Sequence, residues 1–390
     1  MKICATIAEY NPMHSGHLKH IAYMKNELNA ERVIVIMSGN FTQRGECAVM
    51  NKFLRAKQAV IAGADLVIEL PTVFATANAE TFAKGAIKII NSLGVVDGIC
   101  FGVESGTADE YKTLARALND ESKEYKKALK EKLEQGVSLA KAKFEALKQT
   151  SDGAYNENLI ASPNNVLGLE YTKALLKLGS NIEIYPMLRE GDHNSVKLEK
   201  DITSATSIRA YLKSGKKNKI KKYLPKHVFN DLKEYPFAFD KMILSKAITV
   251  PAEKMSRVPD CTEGLEHRIK ALIRGNTCIE TLINKVSTKR YTSSRISRIL
   301  TANFLDITQE LVDDCLKDAL YAKVLAVNSD CKDLLAQITN TCSYPVLTRK
   351  SDCDALKKTA QGCFEKDALA NDLYNLATGE NENEYYTHFV

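Results

Sequence analysis

Four uninterrupted apolar runs near the start of the chain, KICATIA, RVIVIMSG, DLVIEL and DGICFGVE, constrain its fold more than any other feature. Between them lie HLKHIAYMKNEL, FLRAKQAVIAGA and AETFAKGAIKIINSL, which read as helices; in the first, Leu18, Ile21 and Leu28 share one face. A strand that is apolar at consecutive positions has both of its faces buried. Such strands alternating with helices predict parallel α/β units, with helices on both sides of one sheet.

Residues 107–149 are charged, helix-prone and poor in Gly and Pro, which predicts a helical insertion on the domain surface. SPNNVLGLEYTKALL then starts with turn chemistry and runs into a helix, NIEIYPMLR reads as a strand, and ITSATSIRAYLKSG as a capped helix. From Lys213 to Lys226 the chain carries seven lysines and no acid. We place the domain boundary there, with an α/β part over 1–215 and a mainly helical part over 216–390. Two short strand candidates, AKVLAVN and YPVLT, predict a small α/β appendage near 318–390, before a polar tail.

Composition removes several alternatives. Hydrophobic residues make up 45% of 390, enough for a sizeable core. No apolar run approaches the ~20 residues of a membrane helix. The start of the chain, a short apolar run and then a turn, is not expected to be a signal peptide. Ten cysteines include no CxxC pair, so scattered reduced thiols in a cytoplasmic protein are expected rather than a zinc ribbon. A net charge of +6 permits a nucleic-acid partner without demanding one.

The junction after the first strand is where chemistry concentrates. Ligands of open α/β sheets bind beyond the carboxyl ends of the strands. There the chain reads NPMHSGH, turning into the first helix. A helix N-terminus attracts phosphate through its unpaired amides, and Gly16 lets a phosphate approach the backbone. His14 and His17 are three apart, so both imidazoles can project from one face of the first turn. They can donate to phosphate oxygens that gain charge during nucleotidyl transfer. Positioning and charge stabilisation can carry such a reaction without a general base. His20, one turn on, reads equally as a solvated or capping residue.

HSGH resembles the H-x-G-H signature of the nucleotidyltransferase superfamily, which includes class I aminoacyl-tRNA synthetases and small adenylyltransferases. The resemblance implies a Rossmann-like α/β fold and a second motif, a Ser/Thr-rich helix start ending in Ile-Arg. SATSIR, Ser204 to Arg209, matches it, with Ala205 where the commoner form has a second serine. Ser204, Thr206, Ser207 and the helix amides can cradle pyrophosphate, and Arg209 can neutralise it. The longer strings AEYNPMHSGH, IMSGNFTQRGE, ADLVIELP, SPNNVLGLEY, SATSIR and KRYTSSRISR resemble the bacterial tRNA(Met) cytidine acetate ligase family along nearly the whole chain.

That resemblance implies activation of acetate by ATP to acetyl-adenylate and pyrophosphate. The acetyl group then passes to the exocyclic amine of the wobble cytidine of elongator tRNA(Met), giving 4-acetylcytidine. Catalysis would fall to His14, His17 and Arg209. ATP would be held by Ile7, Ala8, Glu9, Tyr10, Asn11, Pro12, Met13, His14, Ser15, Gly16, His17, Leu18, Lys19 and His20, with Gly102, Asn164, Asn165, Arg189 and the SATSIR hydroxyls. Gly102 reads equally as a strand-ending turn, and Asn164 and Asn165 as helix caps. Ser38, Gly39, Gln43 and Arg44 could shape the acetate pocket. Mg²⁺ is expected to accompany ATP, with no metal ligand set of the protein's own, no tightly bound organic cofactor, no membrane and no obligate protein partner.

An anticodon base is already single-stranded, which lowers the cost of bringing it into a site. Positive charge must then hold the RNA backbone. The lysine run, which reads rather as a solvated surface, and the stretch with Lys289, Arg290, Tyr291, Arg295 and Arg298, where RNA contact is favoured, offer it. Arg295 and Arg298 share a helix face, and Tyr291 could stack on a base. The rivals are an adenylyltransferase making a nucleotide cofactor, and a non-catalytic nucleotide- or RNA-binding protein.

Overall fold

A computed structural model of the protein describes residues 2–120, 122–136, 139–150, 155–189 and 204–390. Five parallel strands form its centre: β1 (Ile3–Ala8), β2 (Arg32–Ser38), β3 (Leu66–Leu70), β4 (Gly98–Val103) and β5 (Glu183–Leu188). Three more come from the C-terminal third: β6 (Ala322–Val327), β7 (Val346–Leu347) and β8 (His388–Phe389). The order across the sheet is β5-β4-β1-β2-β3-β6-β7, with β8 also on β6. β6 runs antiparallel to β3.

The helices used below are α1 (Ser15–Asn26), α2 (Lys52–Ile61), α3 (Ala79–Ser92), α4 (Pro163–Lys177), α5 (Ala205–Lys213), α6 (Ser293–Phe304) and α7 (Lys358–Thr378). The apolar runs are buried on both faces, as their lack of alternation requires. Along β2, Val33, Val35 and Met37 enter a core with α1 and α2, while Ile34 and Ile36 enter the opposite core with α3.

Three segments differ from the expectation. The helices over 108–150 are present, but Tyr111, Leu114, Leu118, Phe144 and Leu147 bury themselves in the core, so this is not a surface layer. The lysine run is not solvated throughout: Ile220, Tyr223 and Leu224 are buried within it. The expected appendage near 318–390 is part of the main sheet, because β6 is buried throughout and pairs with β3.

That junction is ionic as well as apolar. Lys52 Nζ lies 2.8 Å from Glu69 Oε1 and 2.7 Å from Glu384 Oε1. Lys323 Nζ lies 3.0 Å from Glu69 Oε2 and also bonds Glu384. All four side chains are at most 4% exposed. Burial alone would raise the Glu69 pKa, but Lys323 and Lys52 hold it below the usual range. The same burial raises that of Glu384, against the pull of both lysines.

Candidate active site

β1 delivers the chain to the carboxyl edge of the sheet at Ala8. Tyr10 follows in the left-handed region, φ 46°, a conformation that strains a residue with a side chain. Arg55, fully buried on α2, fixes this turn from below. Its guanidinium donates to the carbonyls of Glu9 at 2.6 Å, Ser38 at 3.0 Å and Met50 at 2.9 Å, and to that of Gly39. Burial lowers its pKa to about 10, which leaves it charged at neutral pH. One cation therefore ties the ends of β1 and β2 together.

His14 is the N-cap of α1. Its Nδ1 accepts the Gly16 N–H at 3.1 Å, and the His17 Nδ1 accepts the His14 N–H at 3.2 Å. Each histidine thus uses Nδ1 as an acceptor, so the proton of the neutral ring sits on Nε2. The rings lie 3.9 Å apart, tilted by 33°. Gly16 is needed for this arrangement itself, because a Cβ there would stand 2.9 Å from His14 Cε1.

α5 approaches from the other side. Ser204 caps it, accepting the Ser207 N–H at 3.1 Å, with the two hydroxyls 3.0 Å apart. Arg209 donates to the Asn11 carbonyl at 2.9 Å and lies 3.5 Å from Glu46. Between these elements opens a cavity of about 330 Å³.

Most of the expected nucleotide site lines that cavity: Ile7, Ala8, Glu9, Tyr10, Asn11, His14, Ser15, Gly16, His17, Lys19, His20, Gly102, Asn164, Arg189, Ser204, Thr206 and Arg209. His20 lies 3.1 Å from Cys100 Sγ, and burial, with the Arg189 charge behind it, pushes its pKa down to about 4. Arg189 crosses over Gly102, where a Cβ would meet its Cδ at 2.8 Å. Asn164 donates to Glu104 at 2.6 Å.

Pro12, Met13, Leu18, Asn165 and Ser207 do not line it. Met13 is buried in the core under α1, and Leu18 packs against the same core. The Asn165 amide accepts the Glu104 N–H at 2.8 Å and donates to Ser105 at 2.9 Å and Asn158 at 2.7 Å, so it braces the loop beyond β4. Sequence reading missed Phe82, Phe101, Leu167, Tyr171, Met187 and Leu188 in the lining. Phe101, Leu167 and Tyr171 stood inside motifs already singled out; Phe82 gave no signal beyond helical spacing. Gln43 and Arg44 line the cavity, whereas Ser38 and Gly39 do not.

The basic stretch at α6 divides. Lys289 and Arg290 are exposed, and Arg290 pairs with Glu263. Arg290 and Arg295 flank the Tyr291 ring, at 6.0 and 5.4 Å. Arg295 and Arg298 do share a helix face, but it turns inward. Arg295 donates to the Asp260 carbonyl at 3.0 and 2.8 Å, and Arg298 lies 3.7 Å from the Asp260 carboxylate. Lys216, Lys219, Lys221, Lys222 and Lys226 are exposed. All ten cysteines are free. Among the described residues no helix is long and apolar enough to cross a membrane, and no group of three or more His, Cys, Asp or Glu is placed to hold a metal ion.

Comparison with known proteins bears on this geometry. A model of the HIGH Nucleotidyl Transferase family matches residues 1–388. The tRNA(Met) cytidine acetate ligase of Clostridium novyi (strain NT) is 37% identical over 378 residues, 93% of this chain and 94% of that protein. That of Clostridium acetobutylicum is 39% identical over 366 residues, 90% of each chain. Crystal structures of Thermotoga maritima TmcAL superpose over the full length of both chains. The apo form gives a TM-score of 0.94 at 29% identity, and the form bound with alpha-thio ATP 0.90 at 28%.

Proposed function

The chain belongs to the HIGH nucleotidyltransferases and, within them, to the tRNA(Met) cytidine acetate ligases, and on that footing we propose how its own residues carry the reaction. It is an ATP-dependent ligase that activates acetate as acetyl-adenylate and acetylates the wobble cytidine of elongator tRNA(Met). One observation carries the catalytic reading: two imidazoles with Nδ1 committed to the backbone, across a cavity from a second helix N-terminus with its arginine.

The α-phosphate sits at the start of α1, between His14 and His17. The β- and γ-phosphates lie toward Ser204, Thr206 and the first amides of α5, with Arg209 neutralising their charge. Gly102, Arg189 and Asn164 border the nucleoside at the β4–β5 side. An acetate oxygen attacks the α-phosphorus in line and pyrophosphate leaves. The imidazole N–H groups donate to the oxygens that gain charge. The attacking group is already an anion, so no base is required for this step.

Among the described residues, Glu9 is the one carboxylate lining the cavity. That donor set fits a Mg²⁺ brought on the triphosphate rather than one caged by protein, and it would add positive charge at the phosphates. Lys289, Arg290 and Tyr291, with the exposed lysines of 216–226, are the surface we assign to the RNA backbone. Arg295 and Arg298 hold the 260–262 turn that presents it. We keep the 1–215 part for adenylation and 216–390 for tRNA, with a cytoplasmic location for an enzyme that acts on tRNA.

The test uses ATP, labelled acetate and tRNA. Label in RNA as acetylcytidine is expected, with acetate-dependent ATP–pyrophosphate exchange in the absence of RNA. His17→Ala should lower that exchange by about 10²–10³, the usual cost of one such donor. Consumption of ATP only with a mononucleotide would overturn the reading in favour of a cofactor-forming adenylyltransferase.

A further inference from the structure

We propose that Glu9 is the group that recognises and deprotonates the exocyclic amine of the acceptor cytosine, an assignment that rests on the ligase reading above. Sheet order separates the two sides of the cavity. β4 and β5 lie on one side of β1, and β2 and β3 on the other. Gly102 and Arg189, which border the nucleoside, come from the first side. Glu9 is directed to the second: its Oε1 accepts the Gln43 N–H at 2.8 Å, in the turn beyond β2. Gln43 in turn donates to the Ala77 carbonyl at 3.4 Å, just before α3, which contributes Phe82 to the lining.

Charge narrows what this carboxylate can serve. Lys19, Arg44, Arg189 and Arg209 also line the cavity, so the site is otherwise built for anions. A carboxylate repels a triphosphate and repels acetate. It suits an N–H donor, and cytosine presents one at N4, the donor that Asp and Glu side chains accept from. Uracil presents an acceptor there and would meet Glu9 unfavourably. Oε2 of Glu9 meets no protein donor among the described residues, so one lone-pair face remains for a ligand. Phe82 and Tyr171, both almost fully buried, form part of the apolar wall of the same cavity.

The step balances without a further reactant. The N4 lone pair attacks the acetyl carbonyl carbon, forming the C–N bond. The bond from that carbon to the phosphate oxygen breaks, and AMP leaves with its electron pair. One N4 proton passes to Glu9 Oε2 and is lost to solvent once the RNA departs.

The experiment separates the half-reactions in the full-length protein. Acetate-dependent ATP–pyrophosphate exchange reads adenylation. Single-turnover transfer from preformed acetyl-adenylate to tRNA(Met) reads aminolysis. In Glu9→Gln the ratio of transfer rate to exchange rate should fall by about 10²–10⁴, the range for a lost general base. The transfer rate of the natural protein should show an acid limb that Glu9→Gln lacks and Glu9→Asp retains. A parallel fall of both half-reactions, or a raised KM for ATP in exchange, would make Glu9 a nucleotide ligand and overturn the proposal. So would an unaltered transfer rate. If Glu9→Gln fails to fold, Glu9→Asp still decides: loss of its acid limb overturns the assignment. Absence of acetate-dependent exchange in the natural protein would instead sink the ligase reading itself.

Discussion

Lys323→Met should destabilise the protein strongly at neutral pH and weakly in mild acid. The ammonium sits on β6 between Glu69 and Glu384, with side chains 3%, 0% and 4% exposed. Burial opposes its charge, but the two carboxylates raise its pKa. Met keeps the length and removes only the charge. Lys52 then faces two buried carboxylates alone. One of them must take a proton, and at pH 7 that costs roughly 3–4 kcal/mol for a group of reference pKa about 4.3. At pH 5 the same step costs about 1 kcal/mol. The pH 7 figure agrees with the ~3–5 kcal/mol found for breaking a buried pair. Urea unfolding at both pH values measures it, followed by circular dichroism because the chain has no tryptophan. Adding Glu384→Gln to Lys323→Met removes the surplus charge and should recover most of the pH 7 loss. A cost below about 1 kcal/mol at pH 7, or an equal cost at pH 5, would refute a protonation-limited network.

Asp367 gives a second pH signature. It is fully buried and accepts from the Thr72 N–H at 2.7 Å and the Tyr321 hydroxyl at 2.5 Å. Burial first, then Glu69, raises its pKa to about 7. The unfolded value is about 3.9, so the folded state holds this proton longer. The resulting stability is full below about pH 4 and is lost as pH rises through 7. Asp367→Asn should flatten that part of the urea-midpoint profile; an unchanged slope would show that another group titrates. On the RNA side, Arg290→Ala should weaken tRNA binding and reduce the salt slope by about 0.7–1. Arg298→Ala should leave that slope in place and lower the unfolding midpoint, because its guanidinium faces Asp260. The reverse pattern, read by filter binding over a salt series, would return Arg298 to the RNA surface.

What could be read in advance follows from the range of the forces involved. β1 to β4 were legible because burial on both faces writes a continuous apolar run into adjacent positions; β5, at the sheet edge and buried only at Ile184, carried a weaker signal. HSGH and SATSIR were legible because turn, cap and charge chemistry is local. β6 was legible as a strand but not as a neighbour of β3, since no local feature encodes a partner 250 positions earlier. Nothing local marks Arg55 or Lys52. Only the fold brings four carbonyls to one and two carboxylates to the other. Spacing put Arg295 and Arg298 on one face correctly, yet could not say that Asp260 would meet that face. Asn165 has the right residue type for a ligand contact and spends its amide bonds on the loop beyond β4 and on Asn158.

The antiparallel seating of β6 beside β3 has a consequence for synthesis. A ribosome releases the nucleotide-binding half of the sheet well before residue 322 is made. Until then β3 has an open edge, a row of unmet peptide groups able to capture another nascent chain. Glu69 meanwhile waits beside Lys52 without its second cation. The last 70 residues therefore act as a closing clasp, and a ribosome stalled before them would hold a half-finished sheet in need of a chaperone.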